Sequence, residues 1–375
     1  MASSAQQHHH HLPTPYAITA APPPTPSAQS NHSSDAATSD ALSHLLRRLP
    51  PTLSLSLPTR HRSSAATTTT PPIICLSDPT PSLHSASTQL GFFQLTRHPI
   101  SAHLHLAAES VAFSLFSLPH HQKQLLFPTD CWPLGYDSAE NDDDDVSAAG
   151  ESFCLDPSCS TESADGSGLD LGSLRELGRE MEKLGLVVME KLALAIGFDN
   201  PARGNPSRVC SQMWISDGKN NPGRIYPYVV GLHYQARFQK YSLLSDSGWV
   251  NVSGQVEVDS VLVTLGDVAQ VWSNGKLKKV RGRPMPSVEA NNNSNSNCIT
   301  ISLLITLPLE STVAPLVPGL AINGTEEEQE DKEGSDSTKK PLEKRLFNSF
   351  SFEDYAWRVY HERILLKDPL VRYRV

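Results

Sequence analysis

Five basic side chains, Lys276, Lys278, Lys279, Arg281 and Arg283, crowd into eight positions of a 375-residue chain. At that density guanidinium and ammonium groups can hold an anion by charge-assisted hydrogen bonds, so Arg281 and Arg283 are candidate contacts for a small anionic ligand or an acidic protein partner. A charged edge strand that resists sheet-to-sheet pairing would need the same composition. The other chemistry-bearing pattern is His233-Tyr234-Gln235, which imitates a His-x-carboxylate metal arm with an uncharged amide in place of the anion. His233 becomes a candidate metal ligand if a carboxylate such as Asp217 or Asp246 meets it. In an alternating apolar strand, however, an imidazole more often has a packing role. The six cysteines are spread thinly, which is neither a disulfide framework nor a zinc array.

Hydrophobic residues make up 38% of the chain and charged residues 19%, with 29 prolines, so a globular core diluted by irregular chain is expected. The formal charge of −9 is uneven: residues 137–165 hold ten acids and no base, and residues 323–338 hold seven acids and one lysine, leaving about +7 for the rest. Acidic tracts of this kind are usually solvated loops, and nothing in the balance calls for nucleic acid. No apolar run reaches the ~18 residues needed to cross a bilayer, and no signal-peptide core is visible. The expectation is a monomer in the cytoplasm, with the plastid as alternative because the first seventy residues are Ser/Thr-rich and acid-poor.

The elements that must position these groups follow from periodicity. Ile73 to Leu76 and Gln89 to Leu95 read as strands, and Ser101 to Leu118 as a helix ending at Pro119. Leu174, Leu177, Met181, Leu184 and Val188 step by three and four, predicting a second helix with Ser173 and Glu176 as a capping box and Gly197 as its stop. From Arg208 the texture becomes short strands: Gln239 to Leu244, Trp249 to Val252, Ser260 to Leu265, Gln270 to Ser273 and Cys298 to Leu307. Strands at this spacing argue for a closed or double-sheet β fold. Phe352, Tyr355, Val359 and Ile364 fit a closing amphipathic helix.

The succession GFFQLTRHPI (91–100), SLPHHQK (117–123), GWVNV (248–252), LVTLGDVAQVWSNGKLKKV (262–280), ISLLITLP (301–308) and FSFEDYAWRVYHERI (350–364) resembles plant 2-oxoglutarate/Fe(II)-dependent dioxygenases. The similar branch is isopenicillin N synthase-like and includes aminocyclopropane-carboxylate oxidase and the gibberellin oxidases. The resemblance implies a mainly β fold with a helical N-terminal region and a double-stranded β-helix, or jelly-roll, core. The map is then a tail over 1–72, an N-terminal region over 73–207 with an acidic insertion at 137–168, a jelly roll over 208–317, an acidic linker over 318–342 and a closing helix over 343–375.

The resemblance also implies an iron site of two histidines and one carboxylate, with open positions for the 2-oxoacid and oxygen. Matched position by position, the His-x-Asp falls on Arg224-Ile225-Tyr226 or Tyr226-Pro227-Tyr228, the distal histidine on Gly282, and the carboxylate-gripping Arg-x-Ser on Cys298-Ile299-Thr300. Three ligands and the arginine are replaced. The reading is a dioxygenase-like protein whose chemistry has lapsed, with no cofactor, serving as a binding or regulatory module with Arg281 and Arg283 near the old site. The alternative is an active oxidoreductase of hormone or specialised metabolism, with Fe(II) and 2-oxoglutarate at a non-standard site.

Overall fold

The computed structural model describes residues 67–77, 80–129, 132–138, 150–157, 169–217, 224–235, 241–246, 248–252, 259–286, 299–318, 320–321, 343–361 and 368–375. Two sheets dominate. The larger has eight strands in the order β2 (Ile73–Cys75), β3 (Phe92–Thr96), β10 (Ser260–Leu265), β7 (Val230–Gln235), β12 (Thr300–Thr306), β6 (Cys210–Ser216), β5 (Glu151–Leu155) and β4 (Gly135–Ser138). The smaller orders β1 (Thr67–Thr69), β9 (Gly248–Val252), β8 (Tyr241–Ser245) and β11 (Val280–Pro286). Phe92 and Leu262 of the large sheet and Tyr241, Leu243, Val250, Val252 and Val280 of the small one share one apolar cluster, so the sheets face each other as the two halves of a jelly roll.

The outer face of the large sheet is covered by helix α4 (Gly172–Ile196), whose inward stripe of Leu174, Leu177, Met181, Leu184 and Val188 is buried as its periodicity predicts. Burying each such side chain stabilises the fold by about 1.5–3 kcal/mol. The helix lies close to the sheet because Gly185 presents no Cβ where Ile305 and Leu232 press against it. It ends at Gly197, whose φ of 82° is left-handed. Around it stand α1 (Thr80–Gln89), α2 (Ala102–Ser117) and α3 (His120–Leu126), and α6 (Phe352–His361) closes the described chain with a short 3-10 turn over Pro369–Tyr373.

Several expectations need correction. The Ser173–Glu176 capping box does not form: the helix begins after Leu171, and the Asp170 carboxylate accepts from Gly172 N–H at 2.8 Å. Gln89 ends helix α1 and does not begin a strand; Gly91, with φ 79°, turns the chain before Phe92. Gln270 to Ser273, read as a strand, is instead the end of the short helix α5 (Asp267–Trp272) with Ser273 as its C-cap. Thr67–Thr69, placed in the tail, pairs in parallel with Val250–Val252. Strands β4 and β5 run into the stretch read as an acidic insertion, where Cys154 pairs with Trp214. Residues 1–66, 139–149, 158–168 and 322–342, which carry most of the expected tail, insertion and linker, lie outside the described residues. Among the described residues no helix is long and apolar enough to cross a membrane.

Candidate functional site at the mouth of the jelly roll

Alternation along β6 sorts its side chains. Met213 points to helix α4, where it meets Gly178, while Gln212, Trp214 and Ser216 share the opposite, inward face. Across the sheet the same inward rows hold Thr300 beside Ser216, Ser302 beside both Trp214 and His233, and Leu262 beside His233. Ser216 and Thr300 stand at the end of these strands, so they mark the mouth.

The decisive feature comes from the small sheet. The β11–β8 register shifts between Arg281 and Met285, and Gly282 within that bulge has φ 69°. Tyr228 pins the bulge from inside: its hydroxyl lies 3.0 Å from Thr264 Oγ1 and donates to the carbonyls of Val280 (3.0 Å) and Gly282 (3.1 Å). The bulge sends the two arginines apart. Arg283 enters the interior, its guanidinium 4.3 Å over the Trp214 ring and its Nη1 donating to Ser216 Oγ at 3.0 Å. Arg281 turns instead toward Asp368 and Tyr355. Arg283 is thus the one of the two whose guanidinium is seen against the inward face of the large sheet.

Burial pulls the Arg283 pKa down to about 10, against the opposing pull of Cys154, Asp137 and Tyr360. Asp137 is already engaged: its carboxylate accepts from Arg224 Nε at 3.1 Å, and the Arg224 guanidinium lies 4.8 Å from the centre of the Tyr360 ring. Two guanidiniums thus share one carboxylate, which leaves a surplus positive charge beside aromatic walls. Among the described residues Arg283 makes one hydrogen bond and no ion pair. Its fork retains donors suited to a carboxylate.

His233 is spent on the wall. Its Nδ1 lies 2.8 Å from Ser302 Oγ and its Nε2 3.0 Å from Thr264 Oγ1. Burial first, and Arg283 second, push its pKa down to about 3, so it is a neutral ring. The carboxylates suggested as co-ligands are not with it: Asp246 sits after β8 and accepts from Gln270 Nε2, while Asp217 lies past the end of β6, its N–H bonded to Glu151 O. Among the described residues no group of three or more His, Cys, Asp or Glu is placed to hold a metal ion. Cys298 lies outside the described residues; Thr300, from the same expected triplet, pairs with Ser216.

The basic cluster hides one more arrangement. Lys279 is fully buried, with Nζ 2.9 Å from Asp267 Oδ1 and 2.5 Å from Asp368 Oδ1. It is a structural clasp between the α5 turn and the C-terminal segment and cannot serve as an exposed cation, which narrows the anion-binding set further.

Residues 77–167 match the family model described as non-haem dioxygenase in morphine synthesis N-terminal. Gibberellin 2-beta-dioxygenase 1 of Pisum sativum is 23% identical over 308 residues, covering 74% of this chain and 85% of the relative. Among solved structures, the dioxygenase for auxin oxidation in rice superposes with a TM-score of 0.55 at 18% identity, covering 81% of this chain and 99% of that one. JOX2 in complex with 2OG, Fe and JA gives a TM-score of 0.52 at 16% identity, covering 80% and 87%.

These likenesses support a relation to the plant 2-oxoglutarate/Fe(II)-dependent dioxygenases, and the solved structures share the fold of this chain. They overturn the expectation of no cofactor, because the similar curated protein is a dioxygenase and one solved neighbour is in complex with 2OG and Fe. The two cofactors fare differently against this chain. For iron the described residues do not fit: Gly282 has no side chain to ligate, Tyr228 is committed to the bulge, and both nitrogens of His233 are engaged. For an anionic 2-oxoacid they offer one half-buried cation, Arg283. Carry-over of the family arginine led to Cys298 and passed it by, whereas the density of the basic cluster had already named it. The findable signals were the inward alternation of Gln212, Trp214 and Ser216 and the glycine at 282.

Proposed function

We propose that this dioxygenase-like protein uses the mouth of its jelly roll to bind a small carboxylate, acting as a binding or regulatory module and not as a turnover enzyme. The observation that carries this reading is Arg283, held on Trp214 and Ser216 with no carboxylate of its own while Asp137 answers Arg224. A ligand carboxylate arriving at Arg283 would replace lost hydration with charge-assisted bonds and raise the guanidinium pKa again. Trp214 keeps the cation oriented, Ser216 fixes one edge of the fork, and Tyr228 holds the bulge that aims it. Aromatic side chains near the mouth, among them Tyr226 and Tyr360, would exclude water from the contact.

The test is thermal denaturation of the full chain with 2-oxoglutarate, succinate and aromatic monocarboxylates, in parent and Arg283→Ala forms. Binding to the native state raises stability by mass action, by about 2.7 kcal/mol at a hundredfold excess over Kd. The reading expects a shift in the parent that the variant lacks. Equal shifts in both proteins, or none in the parent, would count against it. An active oxidoreductase is the second reading, favoured by kinship with the gibberellin dioxygenase. Succinate formation from 2-oxoglutarate by the full chain under Fe(II) and ascorbate would support that reading in place of the first.

A further inference from the structure

A cleft of about 310 Å³ opens away from the mouth. Phe92 on its wall pairs with Thr264, which lies in the same cross-sheet row as Gly231, Leu304 and Gln212, four residues along β6 from Ser216 at the mouth. Ser245, also on its wall, closes the β8 strand opposite Val280. The cleft is therefore separate from the Arg283 site. Its volume falls at the lower end of the range of small-molecule pockets, roughly 300–1,000 Å³.

Its chemistry is mixed in an ordered way. Leu90, Phe92 and Val250 supply apolar wall, and Phe92 and Val250 belong to the cluster that fills the space between the sheets. Exposed Gln89, Asp246 and Lys278 supply polar edges. Both charged groups are set on fixed supports: the Asp246 carboxylate accepts from buried Gln270 at 3.2 Å, and the Lys278 N–H donates to Ser87 O at the end of helix α1 at 3.0 Å. Gly91 lets the two chains meet there, since a Cβ at that position would stand 2.6 Å from the Lys278 carbonyl oxygen. Among the described residues neither Asp246 nor Lys278 has an ion-pair partner, although both line the one cleft.

We infer that this cleft binds a free amino acid with an apolar side chain of leucine or phenylalanine size. Lys279 also lines the cleft but is spent on Asp267 and Asp368, so one exposed cation, Lys278, and one carboxylate, Asp246, are left on the rim to match the two charges of a zwitterion. The apolar wall between them takes the side chain. A ligand bearing either charge alone would leave the opposite group with no counter-charge, so both charges are needed for selectivity.

The experiment is calorimetric titration of the full chain with L-leucine and L-phenylalanine, alongside phenethylamine and 3-phenylpropanoate, which each keep one charge. At least one amino acid should bind, with each single-charge analogue at least tenfold weaker. Asp246→Asn and Lys278→Gln, both at exposed positions, should each weaken amino-acid binding at least tenfold with unchanged melting temperatures in the absence of ligand. Gln89→Trp, which places bulk at the rim, should weaken it too, while Arg283→Ala should leave it unchanged. No binding of either amino acid, equal binding of a single-charge analogue, or undiminished binding in both charge variants would overturn the inference. Loss of binding in Arg283→Ala alone would assign the ligand to the mouth and would overturn it equally.

Discussion

Lys279→Met removes a cation that two carboxylates share in the interior. Lys279 is 0% exposed, and the side chains of Asp267 and Asp368 are 4% and 16% exposed, so almost none of the charge left behind can be rehydrated without opening the structure. Breaking a buried pair by deleting one partner typically costs about 3–5 kcal/mol, because the remaining charge keeps its desolvation penalty. Asp368 has partial compensation from the Leu370 N–H at 3.0 Å and Arg374 at 3.7 Å, which points to the lower end, about 3 kcal/mol at neutral pH. With about 2–4 °C lost per kcal/mol for a domain of 150–250 residues, the melting temperature should fall by roughly 6–12 °C. Scanning calorimetry of parent, Lys279→Met and the triple variant Lys279→Met, Asp267→Asn, Asp368→Asn measures this directly. Neutralising all three should recover most of the loss, since no uncompensated charge remains. The sign with pH is also fixed. Although burial opposes it, Lys279 with its hydrogen bond holds the Asp368 pKa below its ordinary 3.8, so this contribution is present above pH 3.8 and is lost as pH falls through the folded value. The gap between parent and single variant should narrow there. A single variant within 1 kcal/mol of the parent at neutral pH, or a triple variant no better than the single, would refute the clasp.

Gly282→His, which restores the family's residue type at one position, should give no turnover and should lower the melting temperature, because a side chain at φ 69° costs about 1–2 kcal/mol; Gly282→Asn should cost less. Paired metal analyses of parent and His233→Ala should find the same Fe(II) per chain, and a specific loss in the variant would restore His233 as a ligand. With its pKa pushed to about 3, the His233 ring should show no titration by NMR between about pH 5 and 8, whereas a midpoint in that window would contradict its burial. Carboxylate binding at the mouth should be insensitive to pH between about 6 and 9, because the guanidinium keeps its charge throughout; weakening as pH rises across that window would implicate another group.

How legible this was depends on the range over which each element is determined. Helix α4 could be read because its apolar residues repeat at a helical period and it ends on a glycine in the left-handed region. Helix α1 could not, since TPSLHSASTQ buries only Leu83, Ala86 and Ser87 among its described side chains and presents no stripe. Gln270 to Ser273 is an apolar run too short for its period to separate strand from helix. The jelly roll was recoverable from strand spacing and from the resemblance together. The site was only half legible: that the iron ligands are replaced is a matter of residue identity, while the parting of Arg281 from Arg283 is set by the backbone turn at Gly282, which alternation alone does not predict. Lys279 looked like one more surface lysine because its partner Asp368 lies 89 residues away.

On the proposed function, a guanidinium in the barrel, and not a metal, is what the described mouth offers a ligand. The most direct measurement is the dissociation constant, by calorimetric titration, of the best-binding carboxylate from the thermal panel against parent, Arg283→Lys and Arg283→Met. A planar fork stacked on Trp214 and anchored on Ser216 is not replaced by a point charge, so both variants should bind at least tenfold more weakly, with the methionine form weaker still. Undiminished affinity in both variants would contradict the account.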